Sequence, residues 1–210
     1  MSSEDAGPVS ISGFLTIYRA GQPSSTPVIF LHGSSSDETS LTGLADQIAP
    51  GHPCFFPRGR EKDNLAFTFF RRRPDRSIDT TNLASRSQEL ASLLLTIAER
   101  HGTAPLLIGF SSGAVMAAAL LADHAYLVAG AALLRPEPAY GARTFEPLAK
   151  RPVLLIAGKH DPRRRPSDAT DLAELLMSAD AEVELHTLPF GHAVDASDIE
   201  LTRAWLSRRG

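Results

Sequence analysis

Ser111 sits between two glycines, each two positions away, in the stretch GFSSG (109–113). A serine hydroxyl attacks a carbonyl carbon only when a base takes its proton and a third group holds that base in place. The chain must therefore supply three residue types at separate points: a serine on an exposed corner, a histidine and a carboxylate. The G-x-S-x-G spacing suits the first. A strand that turns sharply into a helix pushes the central residue outward, and glycines on either side remove side chains that would collide there. Ser111 is central in this pattern, whereas Ser112 is not. Ser112 is expected as the first helical residue, with its backbone N–H toward the reaction centre.

An elbow of this kind is followed, in chain order, by the acid and then the histidine. His192 in PFGHAVD meets the requirement for the base, on a glycine-containing loop after an apolar-alternating stretch around Val183 to Leu188. The acid is expected at Asp161 in AGKHDP, where Pro162 favours an extended backbone for the residue before it. Asp195 and Asp198 are rivals, close after His192 in sequence. Asp161 is preferred because it stands on a separate strand end aimed at the same rim. Upstream, IFLHGSSSDE ends an apolar run at His32 and Gly33. The N–H groups of Ser34 and Ser112 are the expected donors to a developing oxyanion, with His32 bracing the loop from behind. The alternative is that Ser34, Ser35 and Ser36 form only a flexible turn.

These residues need elements to position them. PVIFLHG, PLLIGF, LVAGAALL and RPVLLIAG are short, nearly continuous in apolar character and closed by Gly or Pro, as strands buried on both faces are. Helical patterns separate them. Leu90, Leu93, Leu94 and Ile97 share one helical face, with Gly102 as a stop. Ser112 to Ala122 is rich in Ala and Leu. Leu172, Leu175 and Leu176 line a helix that Pro166 and Ser167 open. The last helix is expected to start with a capping box of Ser197 and Glu200. The pattern predicts an α/β fold in one domain over 1–210: a mostly parallel sheet with helices on both faces, an early strand pair around Ile11 to Tyr18 at one edge, and no cap domain. The connection from Gly59 to Thr80 has few regular signals and reads as a lid or binding loop. In it, Phe69 and Phe70, with Phe67, are candidates to wall an acyl pocket, and Arg71 to meet an acidic group. Equally, the aromatics anchor the loop and the arginines form a solvated edge.

The net charge of −3 argues against nucleic acid or an anionic membrane as partner, the run Arg71 to Arg73 with Arg76 being a local exception. The single cysteine excludes an internal disulfide. No paired Cys or His spacing suggests a metal, and no phosphate loop is present, so no cofactor is expected. The polar opening MSSEDAGPVS lacks the regions of a signal peptide, and no apolar stretch is long enough to span a bilayer. The expectation is a cytoplasmic protein without stable membrane insertion.

Taken together, LHGSSSDE, GFSSG, AGKHDP and FGH resemble the phospholipase/carboxylesterase family of α/β hydrolases, which includes acyl-protein thioesterases. The stretch PRGREKDNLAFTFFRRRPDRSIDTTNLASRSQEL is similar to a segment in a bacterial subgroup of hydrolases linked to hydroquinone resistance, where an R-F-F-R-R element precedes an acidic turn and a helix. The likeness runs from about Val28 to the end of the chain. It implies a serine hydrolase with Ser111 as nucleophile, Asp161 as acid and His192 as base, acting on small ester or thioester substrates. The chain departs from the subgroup at Ser35 and Ser36, where glycines are usual. It departs again at Ser112, where relatives often carry Gln or Asn. Other readings of the same constellation are a binding protein on a hydrolase shell, or a hydrolase of lactones or aromatic ring compounds.

Overall fold

The computed structural model describes residues 7–63 and 65–209. Residues 1–6 of the polar opening, and Asn64 in the 59–80 connection, lie outside the described residues.

Alternating side chains along the central strands feed two separate cores. In β3 (Val28–Leu31), Ile29 and Leu31 join one cluster while Val28 and Phe30 join the other. In β7 (Leu106–Phe110), Leu107 faces the first and Leu106 and Ile108 the second. With both faces apolar, such strands have to be covered twice. Helices α2 (Thr80–His101), α3 (Ser112–Asp123) and α4 (Asp168–Ser178) cover one face; α1 (Thr42–Ile48) and α5 (Ala196–Ser207) cover the other. In α3 every residue from Ser112 to Ala122 is buried, and its slim alanines let the helix lie close against the strands beneath.

The sheet has eight strands in the order β1-β2-β4-β3-β7-β8-β9-β10. Here β1 is Val9–Ile11, β2 Phe14–Arg19, β4 Cys54–Pro57, β8 Gly130–Leu134, β9 Pro152–Gly158 and β10 Glu182–Leu188. The strands from β4 across to β10 run parallel to one another; β1 and β2 add an antiparallel edge. This is the mostly parallel sheet with two covered faces that the apolar runs predict, and the early strand pair lies at the edge. No cap domain is inserted among the described residues. None of the described helices is long and apolar enough to cross a membrane.

Two expectations need correction. The 59–80 connection is not irregular throughout: it folds into a hairpin of β5 (Glu61–Asp63) and β6 (Ala66–Thr68). A bridge between Ser36 and Phe67 ties this hairpin to the loop after β3. Asn82 of α2 fastens the hairpin and the chain beyond it, accepting the Arg71 N–H at 2.8 Å and donating to Glu61 at 2.7 Å. The opening of α5 is also not Ser197 with Glu200. Asp195 accepts the Ser197 N–H at 3.2 Å, and Asp198 accepts the Asp195 N–H at 2.7 Å, so the capping box starts two residues earlier. A carboxylate serves as N-cap as well as a hydroxyl, and the extended backbone at Asp195 places it just outside the helix.

Candidate active site

The corner between β7 and α3 holds Ser111 at φ 54° and ψ −112°, a conformation that L residues seldom adopt. Two backbone bonds fix it there. Its N–H donates to Leu134 O at 2.9 Å, and its own carbonyl accepts from Val115 at 3.2 Å. The flanking glycines permit contacts that no side chain would allow. A Cβ on Gly109 would lie 2.5 Å from Gly113 O, and one on Gly113 only 2.0 Å from Leu31 O. Gly109 thus makes room for the first turn of α3, whereas Gly113 makes room for the neighbouring strand β3.

His192, on the loop after β10, reaches the same corner. Its Nε2 lies 2.9 Å from Ser111 Oγ and its Nδ1 2.7 Å from Asp161 Oδ2. Asp161 follows β9, and its other oxygen accepts the Arg163 N–H at 2.8 Å. The carboxylate therefore accepts a hydrogen bond from Nδ1–H and holds the proton on that nitrogen, which leaves Nε2 to accept from the serine hydroxyl. Burial lowers the His192 pKa below its ordinary value, against the opposing pull of Asp161. The two rivals for the acid are occupied elsewhere. Asp195 caps α5, and Asp198 is fully buried in a two-pronged pair with Arg135, at 2.7 and 2.8 Å. His160 is exposed, and only its backbone N–H takes part, bonding to Phe190 O at 2.9 Å.

Arg135, just past β8, was not legible as a site residue. Its Nε donates to Gly191 O at 2.8 Å and its Nη2 to Ala193 O at 3.0 Å, so one guanidinium grips the carbonyls on both sides of His192. The available signal was a lone charge at the end of an otherwise apolar strand. Of the two expected oxyanion donors, Ser34 lines the cleft with Ser111, and Ser112 opens α3 next to the nucleophile in the chain. Neither the Ser34 nor the Ser112 N–H donates to an acceptor among the described residues. The Ser112 hydroxyl points into a polar seam behind the corner, 3.4 Å from Thr68 Oγ1 and 3.5 Å from His32 O. His32 supports the loop as anticipated: its Nδ1 lies 2.7 Å from Gly33 O, and its Nε2 accepts the Gly59 N–H at 2.9 Å. Burial lowers the pKa of this imidazole and so keeps Nε2 free to accept.

The expected substrate contacts fare differently. Phe69 is buried with its ring 4.6 Å from that of His32, and it anchors the connection to the core. It does not line the cleft, because an apolar ring gains more from the core beneath than from the rim above. Phe70 is also buried, with one edge reaching the cleft, and Arg71 stands exposed on its wall. The cleft, about 910 Å³, opens over Ser111 and is lined mainly by charged groups rather than by an apolar acyl wall. Arg164 lies inside it, with Nη2 3.3 Å from Ser111 Oγ. The run Arg163 to Arg165, one proline beyond Asp161, was the signal for it.

Residues 33–200 match the family model described as serine hydrolase (FSH1). A relative from Bacillus subtilis (strain 168), named "Putative hydrolase MhqD", is 28% identical over 192 residues, covering 90% of this chain and 96% of its own. The carboxylesterase of Bacillus cereus superposes with a TM-score of 0.88 at 27% identity, covering 93% of this chain and 94% of its own. A carboxylesterase from Mesorhizobium loti superposes equally well, at 28% identity over 98% and 99% of the two chains. With the sheet order and the elbow already described, these matches establish that the chain belongs to the FSH1 serine hydrolase family, on an α/β-hydrolase fold.

Proposed function

We propose that the protein is a carboxylic ester hydrolase, acting on small ester or thioester substrates through an acyl-enzyme on Ser111. One observation carries the reading: an unbroken line of two hydrogen bonds from Ser111 Oγ through His192 to Asp161, at 2.9 and 2.7 Å. The carboxylesterase names of the two similar structures support it.

In the first step Ser111 Oγ attacks the acyl carbon as its proton passes to His192 Nε2. Asp161 holds the ring and steadies the imidazolium that forms. The carbonyl oxygen becomes an oxyanion, and the Ser34 and Ser112 N–H groups receive it. Collapse expels the alcohol or thiol, which takes the proton from His192. Water then attacks the acyl-enzyme by the same path and frees Ser111. The sequence of steps uses no metal and no organic cofactor.

A fluorophosphonate probe tests the reading directly. One adduct per chain is expected, on the peptide that holds Ser111, as found by mass spectrometry. A native, folded protein that takes no label would instead be a binding protein on a hydrolase shell. The base has its own signature. Neutral His192 is the active form, and burial lowers its pKa, so that form persists to lower pH. The rise of kcat/KM with pH is therefore expected to have its midpoint below the ordinary histidine value of 6.5. A midpoint above that value in a pH–rate profile would contradict the assignment of this buried imidazole as the base.

A further inference from the structure

The walls of the cleft carry seven Lys and Arg side chains against four carboxylates, on a chain whose net charge is −3. The basic run of the 59–80 connection and the run Arg163 to Arg165 come from distant parts of the sequence and meet across Ser111. Two of the guanidiniums share one partner: Arg72 and Arg164 both pair with Glu137, Arg164 at 3.1 Å. Arg76 and Arg163 have no ion pair among the described residues. A cleft with this surplus of positive charge draws and concentrates anions.

Arg164 is the cation best placed to use it. Its side chain is only 10% exposed. Nε donates to Arg135 O at 2.7 Å, and Nη1 reaches both Glu137 and Arg163 O at 3.1 Å. These bonds leave Nη2 as the end that faces the cleft, held beside the nucleophile. A guanidinium fixed in this way loses little freedom on accepting a ligand, and its fork matches a carboxylate. An oxygen bonded to Nη2 would lie within roughly 6 Å of Ser111 Oγ, adding an ordinary hydrogen-bond length to the distance already spanned. That reach corresponds to a few bonds from the scissile carbonyl.

We propose that the preferred substrate is an ester or thioester bearing a carboxylate within a few bonds of the scissile carbonyl, and that Nη2 of Arg164, in a cleft of surplus positive charge, receives it beside Ser111. The inference rests on the serine-hydrolase mechanism proposed above. The anion also has a part in the chemistry. Arg164 and Arg163 oppose the positive charge that His192 gains as it takes the serine proton. A carboxylate on Arg164 offsets that opposition, so the substrate's charge raises kcat as well as lowering KM.

The test compares three esters on the wild-type protein: neutral phenyl butyrate, monophenyl glutarate with its carboxylate on the acyl side, and 3-(butyryloxy)benzoate with its carboxylate on the alcohol side. At low salt, kcat/KM for at least one charged ester is expected to exceed that for phenyl butyrate by roughly 10- to 100-fold, the value of one charge-assisted hydrogen bond. Which charged ester wins identifies the side that Arg164 serves. The ratio should shrink as salt is raised. Arg164→Met should bring the ratio close to one whatever happens to the absolute rates, and Arg163→Gln should lower it by a smaller factor. Cleavage of phenyl butyrate as fast as both charged esters overturns the inference while leaving the hydrolase reading intact. So does a ratio that survives in folded R164M. Because the wild-type comparison stands without any variant, misfolding of R164M does not protect the idea. If none of the three esters is cleaved and the fluorophosphonate leaves no adduct, the mechanism itself fails and the inference falls with it.

Discussion

Replacing Ser111 with alanine is expected to lower kcat by about 10⁴-fold or more, with the circular dichroism spectrum and melting temperature close to those of the wild type. In the proposed mechanism the hydroxyl supplies the atom that bonds to the acyl carbon, and no other described side chain is placed against His192 to take over. Ser112 is the control that makes the result specific. It has the same side chain one residue on, yet its hydroxyl faces Thr68 and His32 O rather than His192. Only its backbone N–H is assigned a role, and alanine keeps that N–H. Ser112→Ala is therefore expected to retain most of the activity. Equal losses in the two variants, measured by steady-state kinetics on one ester, would remove the distinction that the elbow geometry makes between them.

Asp198→Ala is expected to cost stability on the order of 3–5 kcal/mol, because it strands the fully buried Arg135 guanidinium without its counter-charge. In a chain of this length that corresponds to a fall in melting temperature of roughly 6–20 °C. Activity should fall too, since the same guanidinium grips the carbonyls on either side of His192. Asp161→Asn should behave in the opposite way. The side chain keeps its size but no longer selects the imidazole tautomer, and kcat is expected to drop by about 10⁴-fold with little change in melting temperature. Thermal unfolding and kinetics on both variants separate the two aspartates. If Asp198→Ala were fully stable, the burial argument for its pair with Arg135 would be wrong.

The contrast shows what the chain revealed by itself and what it concealed. The parallel sheet was legible because strands buried on both faces lose the period-2 alternation and become short apolar runs, as in RPVLLIAG. Ser111 and Asp161 were legible because each follows such a run, and His192 because it follows the alternating stretch at 183–188; strand ends meet at one rim of this architecture. Phe69 stayed open between pocket wall and core anchor, because an aromatic in an irregular-looking segment reads alike whether it faces a ligand or the core. Only the bridge between Ser36 and Phe67 and the grip of Asn82 show which way that segment folds. Arg135, Arg164 and Glu137 were not legible as partners. Their roles depend on contacts between residues far apart in sequence, and charge alone does not say which carboxylate an arginine will find. The α5 opening was displaced by two residues because SDIE and the DASD before it both satisfy the capping pattern, and only the backbone at Asp195 decides between them.

The seam at Gly113, where α3 rests directly on the carbonyl of Leu31, has a use beyond accommodating the turn. It mounts the two amides assigned to the oxyanion, one just past β3 and one at the head of α3, on a single stiff block of main chain. A mutational library intended to widen the cleft or change its preference should vary the β5–β6 hairpin and the arginines around it. It should leave the block that holds the amides untouched.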